Sequence, residues 1–140
     1  MRRKPKALVL DTWTVVAYFE DEPSGKQVAD LIADAQESGA SLAMSVVNAG
    51  ELWYLMTRRS SEADANETVA ELRQLGIRLV DVDWDLAQAA ARFNAKHRMS
   101  YADCFAAALA KRTKADLVTG DPDFRQVEDD IRIVWLKNSS

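Results

Sequence analysis

The 140 residues carry 22 acidic and 18 basic side chains, a net charge of −4, and 48% of them are hydrophobic, enough to build the core of one compact domain. A single cysteine, Cys104, and a single histidine, His97, exclude an internal disulfide framework and a Cys/His zinc site, and suit a reducing cytoplasm. No run approaches the roughly 20 apolar residues of a membrane-spanning helix, so no membrane partner is expected.

In chain order, a basic start (1–6) leads into Ala7-Leu8-Val9-Leu10, a short apolar run that reads as a buried strand and ends at Asp11. Apolar residues at spacings of three and four predict helices over 26–38, 46–59, 62–75, 84–98 and 101–114. Runs at 41–44, 77–82, 116–119 and 131–136 have strand character. This alternation predicts an α/β domain over 1–140 with a mostly parallel sheet of about five strands, and flexible ends at 1–6 and 137–140. In such folds sites gather beyond the carboxyl ends of the strands.

Four acids stand at informative places. Asp11 follows the first strand, where it serves equally as a site residue or as the N-cap of a helix beginning at Thr12. Glu51 interrupts the apolar stretch Val46–Met56 with no basic neighbour inside it, so its charge calls for a metal, for Arg58 or Arg59 reaching back, or for a less buried side of the helix that faces solvent. Asp103 in Ser100-Tyr101-Ala102-Asp103 has the spacing of a capping box, which explains it without function yet leaves it in the first turn of a helix. Asp121 ends a β-rich run at Gly120-Asp121-Pro122, a turn signal, with Asp123 a second candidate in the same loop. His97 reads as a solvated residue at a helix end and Cys104 as a small core residue.

Leu10-Asp11-Thr12, then Ser45-Val46-Val47-Asn48-Ala49-Gly50-Glu51-Leu52, then Ser100-Tyr101-Ala102-Asp103 with Ala106-Ala107-Ala108, then Thr119-Gly120-Asp121-Pro122-Asp123-Phe124 resemble the PIN domain in order and spacing. The chain is similar to the VapC-type toxins of that family. The resemblance implies a three-layer α/β/α sandwich, four acids (Asp11, Glu51, Asp103 and Asp121) binding Mg²⁺ or Mn²⁺, and endoribonuclease activity as the toxin of a toxin–antitoxin pair. Thr119 falls on the family's polar residue before the last acid; Thr12, Ser45, Asn48 and Asp123 are supporting candidates. An antitoxin partner follows from the same resemblance, and the apolar residues Val28, Leu31 and Ile32 and Leu52, Trp53, Leu55 and Met56 serve an antitoxin groove, a homodimer face or the core.

Trp13 stands where the family more often has a small polar residue, Asn48 where threonine is common, and Gly50 is a poor helix former. Core packing is the first expectation for Trp13, base stacking the second. Phosphatases of the haloacid dehalogenase type also begin with a strand ending in Asp but need a second acid two residues on, where Trp13 stands. A non-catalytic RNA-binding or partner-binding module that keeps the fold and uses the acidic pocket to receive a basic residue is the alternative to a nuclease.

Overall fold

The computed structural model describes residues 5–20 and 23–137. The ends expected to be flexible, 1–6 and 137–140, lie outside that range apart from Pro5, Lys6 and Lys137, whose backbone N–H donates to Gln27 Oε1 at 2.8 Å. Five parallel strands form one sheet in the order β3-β2-β1-β4-β5: β1 Ala7–Leu10, β2 Ser41–Ser45, β3 Ile77–Val80, β4 Asp116–Thr119 and β5 Ile133–Trp135. Six α-helices connect them: α1 Thr12–Phe19, α2 Pro23–Ser38, α3 Val46–Arg59, α4 Glu62–Gln74, α5 Trp84–Lys96 and α6 Tyr101–Thr113, with a 3-10 helix at Pro122–Val127. No helix among the described residues is long and apolar enough to cross a membrane.

The pleat of the sheet divides the core in two. Val9 and Leu117 join Leu86, Phe93, Phe105, Leu109, Phe124 and Val127 under α5 and α6. Leu8, Leu10, Leu42, Met44, Ile77 and Val118 point the other way, onto Val15, Val28, Ile32, Leu52 and Leu72 of α1 to α4. Strands buried on both faces must be apolar at consecutive positions, which is why they read as short unbroken hydrophobic runs. Val28, Ile32 and Leu52 are therefore core residues, whereas Leu31, Trp53, Leu55 and Met56 are half-buried and still present area to a partner.

Element boundaries depart from the sequence expectation where packing overrides local pattern. The 77–82 run ends as strand at Val80 and the 131–136 run pairs over Ile133–Trp135 alone. Helix α2 begins earlier, at Pro23, a residue suited to a first helical turn. Helix α1 had no helical periodicity to announce it beyond the Asp11 cap, because Thr-Trp-Thr-Val-Val-Ala-Tyr-Phe is rich in β-branched and aromatic residues.

Two features fix where a site forms. From β1 at the centre the strands are added to one side as β2 and β3 and to the other as β4 and β5, so the sheet's switch point lies between β1 and β4. Helix α6 is buried from Cys104 to Ala110, and four of those seven residues are alanines. Small side chains let the helix lie close to the sheet, and alanine has the highest intrinsic helix propensity, so this central helix is a rigid support for its first turn.

Candidate metal centre

Asp11 follows β1 and is 1% exposed. It caps α1, one oxygen accepting from the Thr14 N–H at 2.9 Å, so the N-cap reading of Asp11 holds. Its other oxygen accepts from the Thr119 hydroxyl at 2.5 Å. The register explains that second bond: Leu10 pairs with Val118 across β1 and β4, which brings the next residues, Asp11 and Thr119, side by side at the switch point. Thr119 also accepts from the Asp121 N–H at 3.0 Å. One hydroxyl thus sets the relative position of the acids that follow the two central strands. Thr14, which sequence reasoning passed over, contributes twice, since its hydroxyl donates to Val118 O at 2.7 Å. Its signal was the Asp-x-x-Thr spacing of a capped first turn.

Asp121 in turn caps the 3-10 helix, accepting from the Asp123 N–H at 2.9 Å. Asp103 sits in the first turn of α6, where the Ser100 hydroxyl accepts from its backbone N–H at 3.1 Å. The capping position and the site position are compatible. Asp103, Asp121 and Asp123 each present a ligand atom within 4.8 Å of the others, a grouping that could hold a metal ion. Asp123 is exposed, whereas Asp103 and Asp121 are half-buried.

Glu51 is half-buried on α3, and its charge acts on Asp103. The two arginines at the end of its own helix are engaged elsewhere: Arg59 with Glu20, and Arg58 over the Tyr54 ring at 4.8 Å. Ser45 is the N-cap of α3, its hydroxyl accepting from the Val47 N–H at 3.1 Å, and so supports the helix that carries Glu51. The Thr12 hydroxyl donates to Asn48 O at 3.1 Å, and Asn48 Nδ2 donates to Ala102 O at 3.0 Å. Trp13 is half-buried against the α1–α4 side of the core and rests on Gly120. Cys104 is a free thiol within the core, pushed up by burial.

Crowding of like charges shows in the carboxyls. Burial raises Asp103 from 3.8 to about 7, with the negative charges of Asp121, Asp11 and Glu51 adding to it. Burial also raises Asp11, to about 6, although the hydrogen bonds from Thr119 and Thr14 oppose the rise. The donor set fits a hard divalent cation: it is all oxygen, and none of Asp11, Glu51, Asp103, Asp121 and Asp123 forms an ion pair with a basic side chain among the described residues.

The PIN domain family matches residues 8–130. The chain is 32% identical over 125 residues to the Ribonuclease VapC of Mycolicibacterium smegmatis, covering 84% of this chain and 94% of that one. Among solved structures it is similar in fold to VapBC2 from Rickettsia felis bound to a promoter DNA fragment, with a TM-score of 0.71 at 15% identity over 94% of this chain and 99% of that one. It is similar also to Mycobacterium tuberculosis VapC20, a toxin that cleaves the sarcin–ricin loop, with a TM-score of 0.67 at 18% identity over 86% and 94% of the two chains.

Proposed function

The chain belongs to the PIN domain family, and on that premise we propose that it is a divalent-cation-dependent endoribonuclease, acting in the cytoplasm as the toxin of a toxin–antitoxin pair. The observation that carries this reading is the gathering of Asp103, Asp121 and Asp123, with Asp11 and Glu51 beside them, at the switch point of a parallel sheet. Structural capping explains the backbone contacts of these acids but not why five of them come from four separate elements with no basic side chain paired to them among the described residues.

Asp103, Asp121 and Asp123 would share an ion, and Asp11, held through both oxygens, fixes the inner wall of the site. Mg²⁺ or Mn²⁺ suits these hard ligands and, when bound, supplies Lewis-acid stabilisation of the attacking and leaving oxygens of a phosphodiester. Glu51, half-buried and free of an ion pair among the described residues, orients the attacking water and takes its proton on a carboxylate oxygen. Thr119 keeps Asp11 and Asp121 in register throughout. An antitoxin would inhibit by placing an Arg or Lys among the same carboxylates, and the half-buried Leu31, Trp53, Leu55 and Met56 offer apolar area for that partner or for a second copy.

The test is incubation of purified, partner-free protein with total cellular RNA, with Mg²⁺, with Mn²⁺ and with a chelator. Cleavage that requires the ion and disappears in Asp11→Asn supports the reading. RNA binding without cleavage under every condition would leave only the non-catalytic module.

A further inference from the structure

Asn48 stands at the junction of three of the elements that carry the carboxylates. It is 0% exposed and lies one turn ahead of Glu51 on α3. Its carbonyl takes the hydroxyl of Thr12, the residue after Asp11, and its Nδ2 donates to the carbonyl of Ala102, the residue before Asp103. The α3·α6 contact and the start of α1 are therefore joined at one side chain and its own backbone, immediately behind the site.

The carboxamide has a second end. Ala102 O can only accept, so the amide nitrogen must face it, and turning the group over would set two acceptors against each other. Oδ1 is thereby fixed in the opposite direction, buried and without a hydrogen-bond partner among the described residues. A buried acceptor left unpaired is unfavourable. Packing α3 on α6 needs at most the one donor, so the second polar atom calls for another use.

We propose that Asn48 is a positioning residue of the ion site: Nδ2 sets the first turn of α6, with Asp103, against α3, with Glu51, and Oδ1 accepts a hydrogen bond from a water held between the two helices. This rests on the carboxylates being a divalent-cation site, as proposed above. Groups behind metal ligands commonly tune affinity by 10- to 100-fold, and the effect here acts on the placement of Asp103, through the Asn48–Ala102 hydrogen bond, and not on RNA contacts.

The experiment compares the wild-type protein with Asn48→Leu, which is similar in shape and wholly apolar, and Asn48→Ser, whose hydroxyl falls short of Ala102 O. Three quantities are read: Mn²⁺ affinity by calorimetry without RNA, kcat and KM separately for RNA cleavage, and thermal unfolding in chelator. The expected result is a loss of Mn²⁺ affinity of about 10-fold or more in both variants, with kcat falling and KM nearly unchanged at saturating ion. A purely structural residue would lower the unfolding temperature and leave Mn²⁺ affinity and kcat of the folded protein alone. Mn²⁺ affinity within about twofold of wild type in whichever variant folds would overturn the proposal. A wild-type protein that binds no Mn²⁺ would overturn this inference and the proposed function together.

Discussion

The Trp13 indole lies so close over Gly120 that a Cβ at position 120 would come inside 3.0 Å of three ring atoms, Cζ2, Cζ3 and Cη2. Gly120 separates Thr119 from Asp121, and Trp13 comes two residues after Asp11, so the contact locks together the two chain segments that leave β1 and β4. It also accounts for a tryptophan where the family more often has a small residue: the ring fills space that the glycine leaves open. Gly120→Ala should destabilise the fold by about 1–3 kcal/mol through overpacking. Trp13→Ser loses apolar contact instead, and the double variant should be more stable than the sum of the two losses by about 0.5–3 kcal/mol. Thermal unfolding of the four proteins measures this directly; additive losses would show that the two residues are not matched.

Thr119 gives a sharper test of the site than any single acid. Thr119→Val keeps the shape but removes a hydroxyl that donates to Asp11 and accepts from Asp121. Asp11 then loses the larger of the hydrogen bonds that oppose its raised pKa, and its carboxyl should move further above 6. Mn²⁺ affinity should drop by about 10- to 100-fold in Thr119→Val and recover in Thr119→Ser. Equal affinity in valine and serine variants, read by calorimetry, would show that the hydroxyl bridge does not hold the site.

How much of this was legible beforehand differs between the fold and the site. The strands announced themselves because double burial demands apolar runs, and α6 because Ala106, Ala107 and Ala108 follow a Ser100 cap. Helix α1 was obscured by its β-branched sequence and is stabilised by Asp11 and by Val15 in the core. The acids could be picked out singly, but the Asp11–Thr119 bond depends on strand register, 108 residues apart, and no local pattern records that. Asp123 was inseparable from Asp121 for the same reason: the 3-10 turn at Pro122 decides which oxygens meet Asp103.

Asp11 and Asp103 set the pH response of the metal-free protein. Both have folded-state values above the ordinary 3.8, about 6 and about 7, burial being the main cause in each. Below about pH 4 both are protonated in the folded and unfolded chain alike, and their contribution to stability is fully present. As pH rises through 6 and 7 the folded protein must ionise buried groups, and that contribution is lost. Asp83, lowered to about 2 chiefly by its hydrogen bonds to Arg112, acts in the opposite sense but only at more acid pH. Urea unfolding in chelator should therefore show stability falling by a few kcal/mol from about pH 4.5 to 8, with the Asp103 part reduced by its partial exposure. Saturating Mg²⁺ should remove most of the decline. A metal-free protein that grows more stable over this range would contradict the raised values.

Gly50 offers the reverse kind of change. It lies within α3, exposed, and a Cβ there would meet nothing within 4 Å. Glycine in a helix interior is less favourable than alanine by about 1 kcal/mol, so Gly50→Ala should raise stability by roughly that amount. If the glycine serves only the isolated fold, RNA cleavage and partner binding will be unchanged. A more stable protein that cleaves RNA poorly would place the close approach of substrate at the residue before Glu51.

Asp103→Asn should separate stability from function most clearly. The carboxyl of Asp103 is unfavourable when ionised in the metal-free fold, because it is partly buried and faces Asp121, Asp11 and Glu51. An amide of the same shape removes that repulsion and keeps the backbone N–H that the Ser100 cap holds. At about pH 7.5 in chelator the variant should be more stable than wild type by on the order of 1–2 kcal/mol. With Mg²⁺ the order should invert, since the wild type gains binding free energy that the variant has largely lost. RNA cleavage should fall by about 100-fold or more in the same preparation. Paired melting curves with and without Mg²⁺ decide it: an Asp103→Asn protein that is less stable than wild type in chelator would mean that the acid stabilises the fold and is not held there for the ion.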